Sequence, residues 1–247
     1  LLKKDCSSVG FEIALSITNP TGPPMWLLTR RYKRELIPRD GFLLVTMAWV
    51  LLALAATIPL YVNIEGISFV HAFFEATSGI TTTCGTILSG LDRLPLSVNF
   101  WRCFLAWMGG IGILVMAVAV LPLLGVGGSQ IFRAESSGPM KEGRLTPRIA
   151  DTAKAFYNIY LAISVACAVC YHFAGMDWDD AIMHTFTTVS LGGYYSHDAG
   201  FAYWPGRAVD WVCVVFLLIG GINFSMHFIA WRKLSLKVYL KDVETCG

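Results

Sequence analysis

Ala72–Phe73–Phe74–Glu75–Ala76–Thr77–Ser78–Gly79–Ile80–Thr81–Thr82–Thr83–Cys84–Gly85 is echoed downstream by Ala181–Ile182–Met183–His184–Thr185–Phe186–Thr187–Thr188–Val189–Ser190–Leu191–Gly192–Gly193–Tyr194. Each copy opens as an apolar stretch too short to cross a bilayer, which takes roughly 20 helical residues. Each then runs into Thr, Ser and Gly, where helix propensity fails and backbone polar groups become available. Irregular backbone at membrane depth is tolerated only where it is buried in protein or lines a water-filled path. A short helix that enters and returns as irregular chain, twice, reads as a pore loop.

The flanks agree with this reading. Four apolar stretches are long enough to span: Phe42–Tyr61, Phe100–Leu124, Ala155–Ala174 and Ala208–Trp231. The order is span, short helix, polar loop, span, and then the same again, a direct repeat. Three anchors keep it in register. Ala72 and Cys84 are 12 positions apart, as are Ala181 and Gly193, and Gly109–Gly110–Ile111, 25 positions beyond Cys84, is matched by Gly220–Gly221–Ile222, 27 beyond Gly193. The expected organisation is an N-terminal segment at 1–40, a first pore repeat at 41–132, a cytoplasmic linker at 133–154, a second repeat at 155–232 and a cytoplasmic tail at 233–247.

Composition supports a membrane protein. The chain is 55% hydrophobic and 15% charged, against about 25% charged in an ordinary soluble domain, and its mean hydropathy is +0.58. A net charge of +2 gives no bulk basic character for nucleic-acid binding. The chain opens on Leu1 without a signal-peptide pattern, which suggests a fragment. Cys167-x-x-Cys170 lies in a continuous helical run with no redox-fold context and reads as helix packing. No His/Cys spacing suits zinc, and no phosphate-binding Gly loop follows a strand.

Charge sets the expected orientation. Arg30, Arg31, Lys33, Arg34 and Arg39 precede the first span, Arg133, Lys141, Arg144, Arg148 and Lys154 join the repeats, and Arg232, Lys233, Lys237 and Lys241 follow the last. Lys/Arg excess marks the cytoplasmic side, so both pore loops enter from outside and both termini are cytoplasmic.

A cation leaving water needs its hydration replaced, and backbone carbonyls do this without an ionised side chain. Thr82–Thr83–Cys84–Gly85 and Leu191–Gly192–Gly193–Tyr194 are the expected ion-facing backbone, with Cys84 and Gly193 equivalent. Glycine suits such a loop because it adopts positive φ without a Cβ clash. Glu75 and His184, equivalent on the short helices, are expected to support the loops, with direct ion contact by Glu75 as the alternative. A charge at bilayer depth costs about 2.5–3.5 kcal/mol, so Glu75 must be paired or wet. Gly109, Gly110, Gly220 and Gly221 are expected to permit close helix packing. Arg102 and Asp210 read as snorkelling anchors near span ends. Among Asp177, Asp179 and Asp180 at least one reads as a helix N-cap. His197 and Asp198 have no assigned chemistry, and the Asn223–Phe224–Ser225 glycosylation pattern is discounted because it lies within a span.

The chain from about Arg39 to Glu244 resembles the first two repeats of the Trk/Ktr-type potassium uptake membrane subunits, bacterial TrkH-like proteins above all. The resemblance is carried by Arg39–Asp40–Gly41–Phe42, Phe73 to Thr83, Leu88–Ser89–Gly90–Leu91–Asp92, Gly109 to Ile113, Leu121 to Gly128, Phe132–Arg133–Ala134–Glu135, Leu145 to Lys154, Gly192–Gly193–Tyr194 and Gly220 to Phe224. It implies an all-α integral membrane protein, half of a four-repeat potassium-channel-like pore. It further implies potassium uptake, by passive or gradient-driven transport, across a bacterial inner membrane. Potassium would be the transported ion, with no covalent cofactor, no transition-metal site and no catalytic residue. The implied partners are the lipid bilayer, the remaining two repeats or a second chain, a homodimeric mate and a cytosolic nucleotide-binding regulatory ring. Cys84 stands where the family's first repeat carries its filter glycine. If that position is left-handed, Gly85 could serve by a one-residue shift. Cys84 keeps open a sodium-permeable or non-selective relative, and the two-repeat length keeps open a non-conducting assembly subunit. An intramembrane enzyme is the remotest alternative, because Glu75 and His184 come from different repeats.

Overall fold

A computed structural model describes residues 10–16, 38–120 and 145–233, with Leu27, Ser235 and Tyr239 as isolated positions. The expected linker up to residue 144, most of the C-terminal tail and much of the N-terminal segment lie outside the described residues. Among the described residues there is no strand.

Seven helices carry the two repeats: α1 (Pro38–Asn63), α2 (Phe69–Ile80), α3 (Leu96–Val120), α4 (Leu145–Phe173), α5 (Trp178–Val189), α6 (Ala208–Gly221) and α7 (Phe224–Lys233). The short helices α2 and α5 are both 12 residues long and occupy equivalent positions. At 1.5 Å per residue each is about 18 Å long, well short of a span. Ser68 caps α2, its hydroxyl accepting from His71 N at 3.2 Å. Asp177 holds the corresponding position before α5 with extended backbone but makes no side-chain cap bond. The acidic residues there act on the helix dipole through Asp179 and Asp180 in the first turn.

Among the described residues three helices, over Phe42–Asn63, Leu96–Met116 and Asp151–Phe173, are long and apolar enough to cross a membrane. The third begins at Leu145, ahead of the expected Ala155. The fourth expected span is not one helix. α6 and α7 are bent by 88° across a break at Ile222–Asn223. Gly220 and Gly221 weaken the helix, and Asn223 then starts a new one, its Oδ1 accepting from Ser225 N at 3.0 Å and its carbonyl from Met226 N at 2.8 Å. His227 Nε2 meets the carbonyl of Ile219 at 2.9 Å, next to the break. Asn223→Ala is expected to cost about 1 kcal/mol through the lost cap, measured as a lower unfolding midpoint in detergent.

α3 is the hub, packing against α1, α2, α4 and α5. Phe186 of α5 sits among Phe100, Phe104 and Trp107 of α3, with ring centroids 5.4–5.7 Å apart. Trp107 Nε1 donates to Ser164 Oγ at 3.0 Å, and Tyr160 OH donates to the Trp107 carbonyl at 3.2 Å. These contacts bind the repeats through α3. Outward faces stay apolar: Leu43, Leu44, Leu51 and Leu52 of α1 are exposed, as suits a lipid-facing surface. Cys167 is buried in the second repeat's core, whereas Cys170 is exposed, and neither forms a disulfide.

The glycine pairs divide. A Cβ at Gly109 would lie 2.0 Å from the Ile80 carbonyl oxygen, and one at Gly110 2.5 Å from Tyr160 OH. At Gly220 it would lie 3.3 Å from Leu191 Cδ2. At Gly221 it would meet nothing within 4 Å, so close packing does not account for that glycine. It closes α6 at the break instead.

Candidate ion pathway

Both short helices end in the same backbone device. Thr82 N donates to the Gly79 carbonyl at 2.9 Å, and Leu191 N donates to that of Thr188 at 3.1 Å. Thr82 and Leu191, equivalent in the repeat, then take φ of 57° and 56°. Left-handed backbone costs a residue with a side chain roughly 1–2 kcal/mol, and here the strain falls at matched positions of the two repeats. Each loop is fastened by a hydroxyl from its own helix. Ser78 Oγ donates to the Gly85 carbonyl at 2.7 Å, and Thr187 Oγ1 donates to that of Tyr194 at 3.0 Å. The six carbonyls of Thr82, Thr83, Cys84, Leu191, Gly192 and Gly193 make no hydrogen bond within the described residues. The carbonyls of Gly85 and Tyr194, expected in the same set, each accept one of the two hydroxyls.

Cys84 has φ of 51°, so the left-handed position is filled by the cysteine itself. Gly85 and Gly193 both lie outside the left-handed region, and the one-residue shift to Gly85 does not occur. The Cys84 sulfur turns towards the second loop. A Cβ on Gly192 would fall 2.6 Å from it, and the backbone N–H groups of Gly193 and Tyr194 face it. The side chain is therefore packed against the neighbouring loop.

Glu75 is fully buried and paired. Arg102 Nε donates to Glu75 Oε1 at 2.7 Å, and Arg102 Nη2 lies 2.7 Å from the same oxygen. Thr86 Oγ1 donates to Oε1 at 2.8 Å, and Ile87 N donates to Oε2 at 3.4 Å. The arginine also donates to Thr86 Oγ1 at 3.0 Å and to Asn99 Oδ1 at 2.8 Å. Arg102 is 1% exposed, which overturns the snorkelling reading. A guanidinium with five donors in a fixed fork satisfies several acceptors at once. The visible signal was a cation in an otherwise apolar helix with an acid on the adjoining short helix.

His184 does the equivalent work without charge pairing, Nε2 meeting Ser196 Oγ at 3.0 Å. It is enclosed by Phe201 and Trp204, centroids 5.2 and 5.1 Å away. Tyr194 ties the two halves together. Its hydroxyl donates to the Glu75 carbonyl at 2.9 Å, and the Arg102 guanidinium lies 4.4 Å above its ring. Asn99 Nδ2 adds a bond to the Ser196 carbonyl at 2.7 Å. Nothing in the sequence pattern distinguished these cross-repeat roles. Asp210 lies in the first turn of α6.

The TrkH cation transport protein family model matches residues 11–245. The chain is 46% identical over 247 residues to the Trk system potassium uptake protein TrkH of Vibrio parahaemolyticus, covering 99% of this chain and 51% of that protein. It is 45% identical over 245 residues to the protein of the same name from Halomonas elongata, again over 99% and 51%. The crystal structure of the potassium transporter TrkH from Vibrio parahaemolyticus superposes with a TM-score of 0.87 at 42% identity, covering 99% of this chain and 49% of that one. The chain thus spans about half the length of the relatives it matches. It is an all-α integral membrane chain of two tandem helix–pore-helix–loop–helix repeats, and it belongs to the TrkH family of cation transport proteins.

Proposed function

We propose that this chain forms half of a potassium uptake pathway in a bacterial inner membrane. The observation that carries the reading is the set of six unengaged carbonyls on two loops of matched backbone. Carbonyl dipoles of this kind replace an ion's hydration shell without an ionised ligand. Glu75, Arg102, His184 and Tyr194 hold those loops and do not themselves coordinate. The other half of the ring comes from two further repeats or from a second chain, since unsatisfied backbone facing lipid costs several kcal/mol per group. Both loops enter from outside and both termini are cytoplasmic, following the basic flanks. Ion flow is passive or driven by a coupled gradient. A homodimeric mate and a cytosolic nucleotide-binding ring complete the assembly in this reading.

The test is rescue of a potassium-uptake-deficient bacterium on low potassium. The chain is expressed alone and fused to the second half of the Vibrio parahaemolyticus relative. The fusion is expected to rescue and the chain alone is not. A fusion present in the membrane that neither rescues nor takes up potassium sinks the reading.

Cys84 supports a second reading, a pathway that also admits sodium, because a side chain occupies a strained position between the loops. Cys84→Gly is expected to relieve about 1–2 kcal/mol of backbone strain while loosening the contact with Gly192. Parallel potassium and sodium uptake by the fusion checks this. A fall in sodium uptake with potassium retained supports the second reading, and unchanged ratios exclude it.

A further inference from the structure

Beyond the pore loops, one imidazole lies between carboxylates from different repeats. His197 Nδ1 hydrogen-bonds Asp92 Oδ1, and its Nε2 lies 3.2 Å from Asp180 Oδ2. Asp92 sits in the 3-10 turn Leu91–Arg93 of the first repeat, and Asp180 in the first turn of α5 in the second. Two backbone bonds close the same junction: Gly90 N donates to Asp198 Oδ1 at 3.0 Å, and Asp198 N donates to Asp92 Oδ2 at 3.4 Å. The His197 ring lies flat on Tyr203, centroids 3.7 Å apart, with Trp204 edge-on. The preceding residue, Ser196, is the one that meets both His184 and Asn99. The junction is thus joined directly to the groups that hold the loops.

Ionised carboxylates only accept hydrogen bonds, and a neutral imidazole carries a single N–H. Both contacts can be hydrogen bonds only if the trio carries one further proton. The bond from His197 holds the Asp92 carboxyl below the usual carboxylate range.

We propose that His197 is a positioning residue whose imidazolium form clasps the outer limbs of the two pore loops, and that the clasp loosens as external pH rises. The titratable groups facing the ring are Asp92 from the Leu91–Arg93 turn, Asp180 and the buried His184 from α5, Asp198 from its own loop and the stacked Tyr203. The Asp92 contribution is lost as pH falls through its lowered value. The imidazolium contribution lasts while both ring N–H groups are in place and is lost once the ring gives up a proton. A neutral ring keeps one carboxylate and releases the other.

The proposal rests on the potassium-pathway reading, and its test separates the two. Potassium uptake by the protein carrying this chain is followed from external pH of about 6 to about 9, beside His197→Gln. The glutamine amide is neutral throughout and donates without titrating. Wild-type uptake is expected to fall roughly threefold or more across that range, with His197→Gln lower at acid pH and flat. The second readout, thermal unfolding in detergent, needs no transport. The wild-type midpoint is expected to drop by about 2–4 °C relative to His197→Gln as pH rises. Superimposable pH profiles in both readouts overturn the clasp. A His197-dependent midpoint shift in a protein that takes up no potassium keeps the clasp and overturns the pathway.

Discussion

Glu75→Ala is expected to cost about 3–5 kcal/mol of stability and to abolish uptake, because it strands a fully buried arginine. Arg102 and Glu75 have side-chain exposures of 0% each. Removing one partner of a buried pair leaves an uncompensated charge, which is far more damaging than removing both. The variant also takes acceptors from Thr86 Oγ1 and Ile87 N on the returning limb of the first loop. The double variant Glu75→Ala/Arg102→Met separates these effects. Its stability is expected to recover most of the loss, since an apolar replacement of both charges is often near neutral. Uptake should stay low, because Thr86, Ile87 and Asn99 still lack their partners. Unfolding in detergent and uptake, measured on the same variants, check both statements. A single variant within about 1 kcal/mol of wild type would mean that the pair does not hold the loop.

Gly109→Ala is the second large effect. The new Cβ would sit 2.0 Å from the Ile80 carbonyl oxygen and 2.8 Å from its carbon. Neither helix can turn a side chain aside, because the obstacle is backbone at the last residue of α2, immediately before the loop. Overpacking costs typically 1–3 kcal/mol, and an immovable backbone contact puts this site at about 3 kcal/mol or more. The other glycines rank below it by what they face. Gly110→Ala meets a side-chain end, the Tyr160 hydroxyl at 2.5 Å, with Ser190 Cβ at 3.1 Å, where Gly109→Ala meets backbone. Gly220→Ala meets Leu191 at 3.3 Å, and Gly221→Ala meets nothing within 4 Å and should be near neutral. Unfolding midpoints in detergent for the four alanine variants should fall in that order. An equal loss at Gly109 and Gly221 would refute the packing account.

Much of the architecture was legible because it rests on local pattern. The short helices, their common length and their register follow from apolar stretches that stop at Thr, Ser and Gly, and the first three spans follow from uninterrupted apolar length. The broken fourth span was partly written in the chain. Gly220–Gly221 followed by Asn223 is a helix stop and a new N-cap, but hydropathy averages over it. A reading by length alone runs α6 and α7 together.

The site divided along a similar line. Repeat register alone picked out Glu75 and His184 as equivalent supports and the two loops as candidate ion ligands. It could not say that Glu75 is balanced by Arg102 while His184 is held by a neutral serine. Those partners lie 27 residues away on another helix in one case and 12 residues along the returning loop in the other. Nor could it say that the carbonyls of Gly85 and Tyr194 each accept a hydroxyl, or that Cys84 itself is left-handed with its sulfur against Gly192. The sequence by itself determined the membrane class, the two repeats and the position of the pore loops, because hydrophobic length and helix-breaking composition act over neighbouring residues. Only the tertiary structure decided which groups are neutralised, which carbonyls accept hydrogen bonds and how His197 joins the repeats. Burial, pairing and hydrogen-bond direction are set by residues that meet in space, up to 119 positions apart for Tyr194 and Glu75.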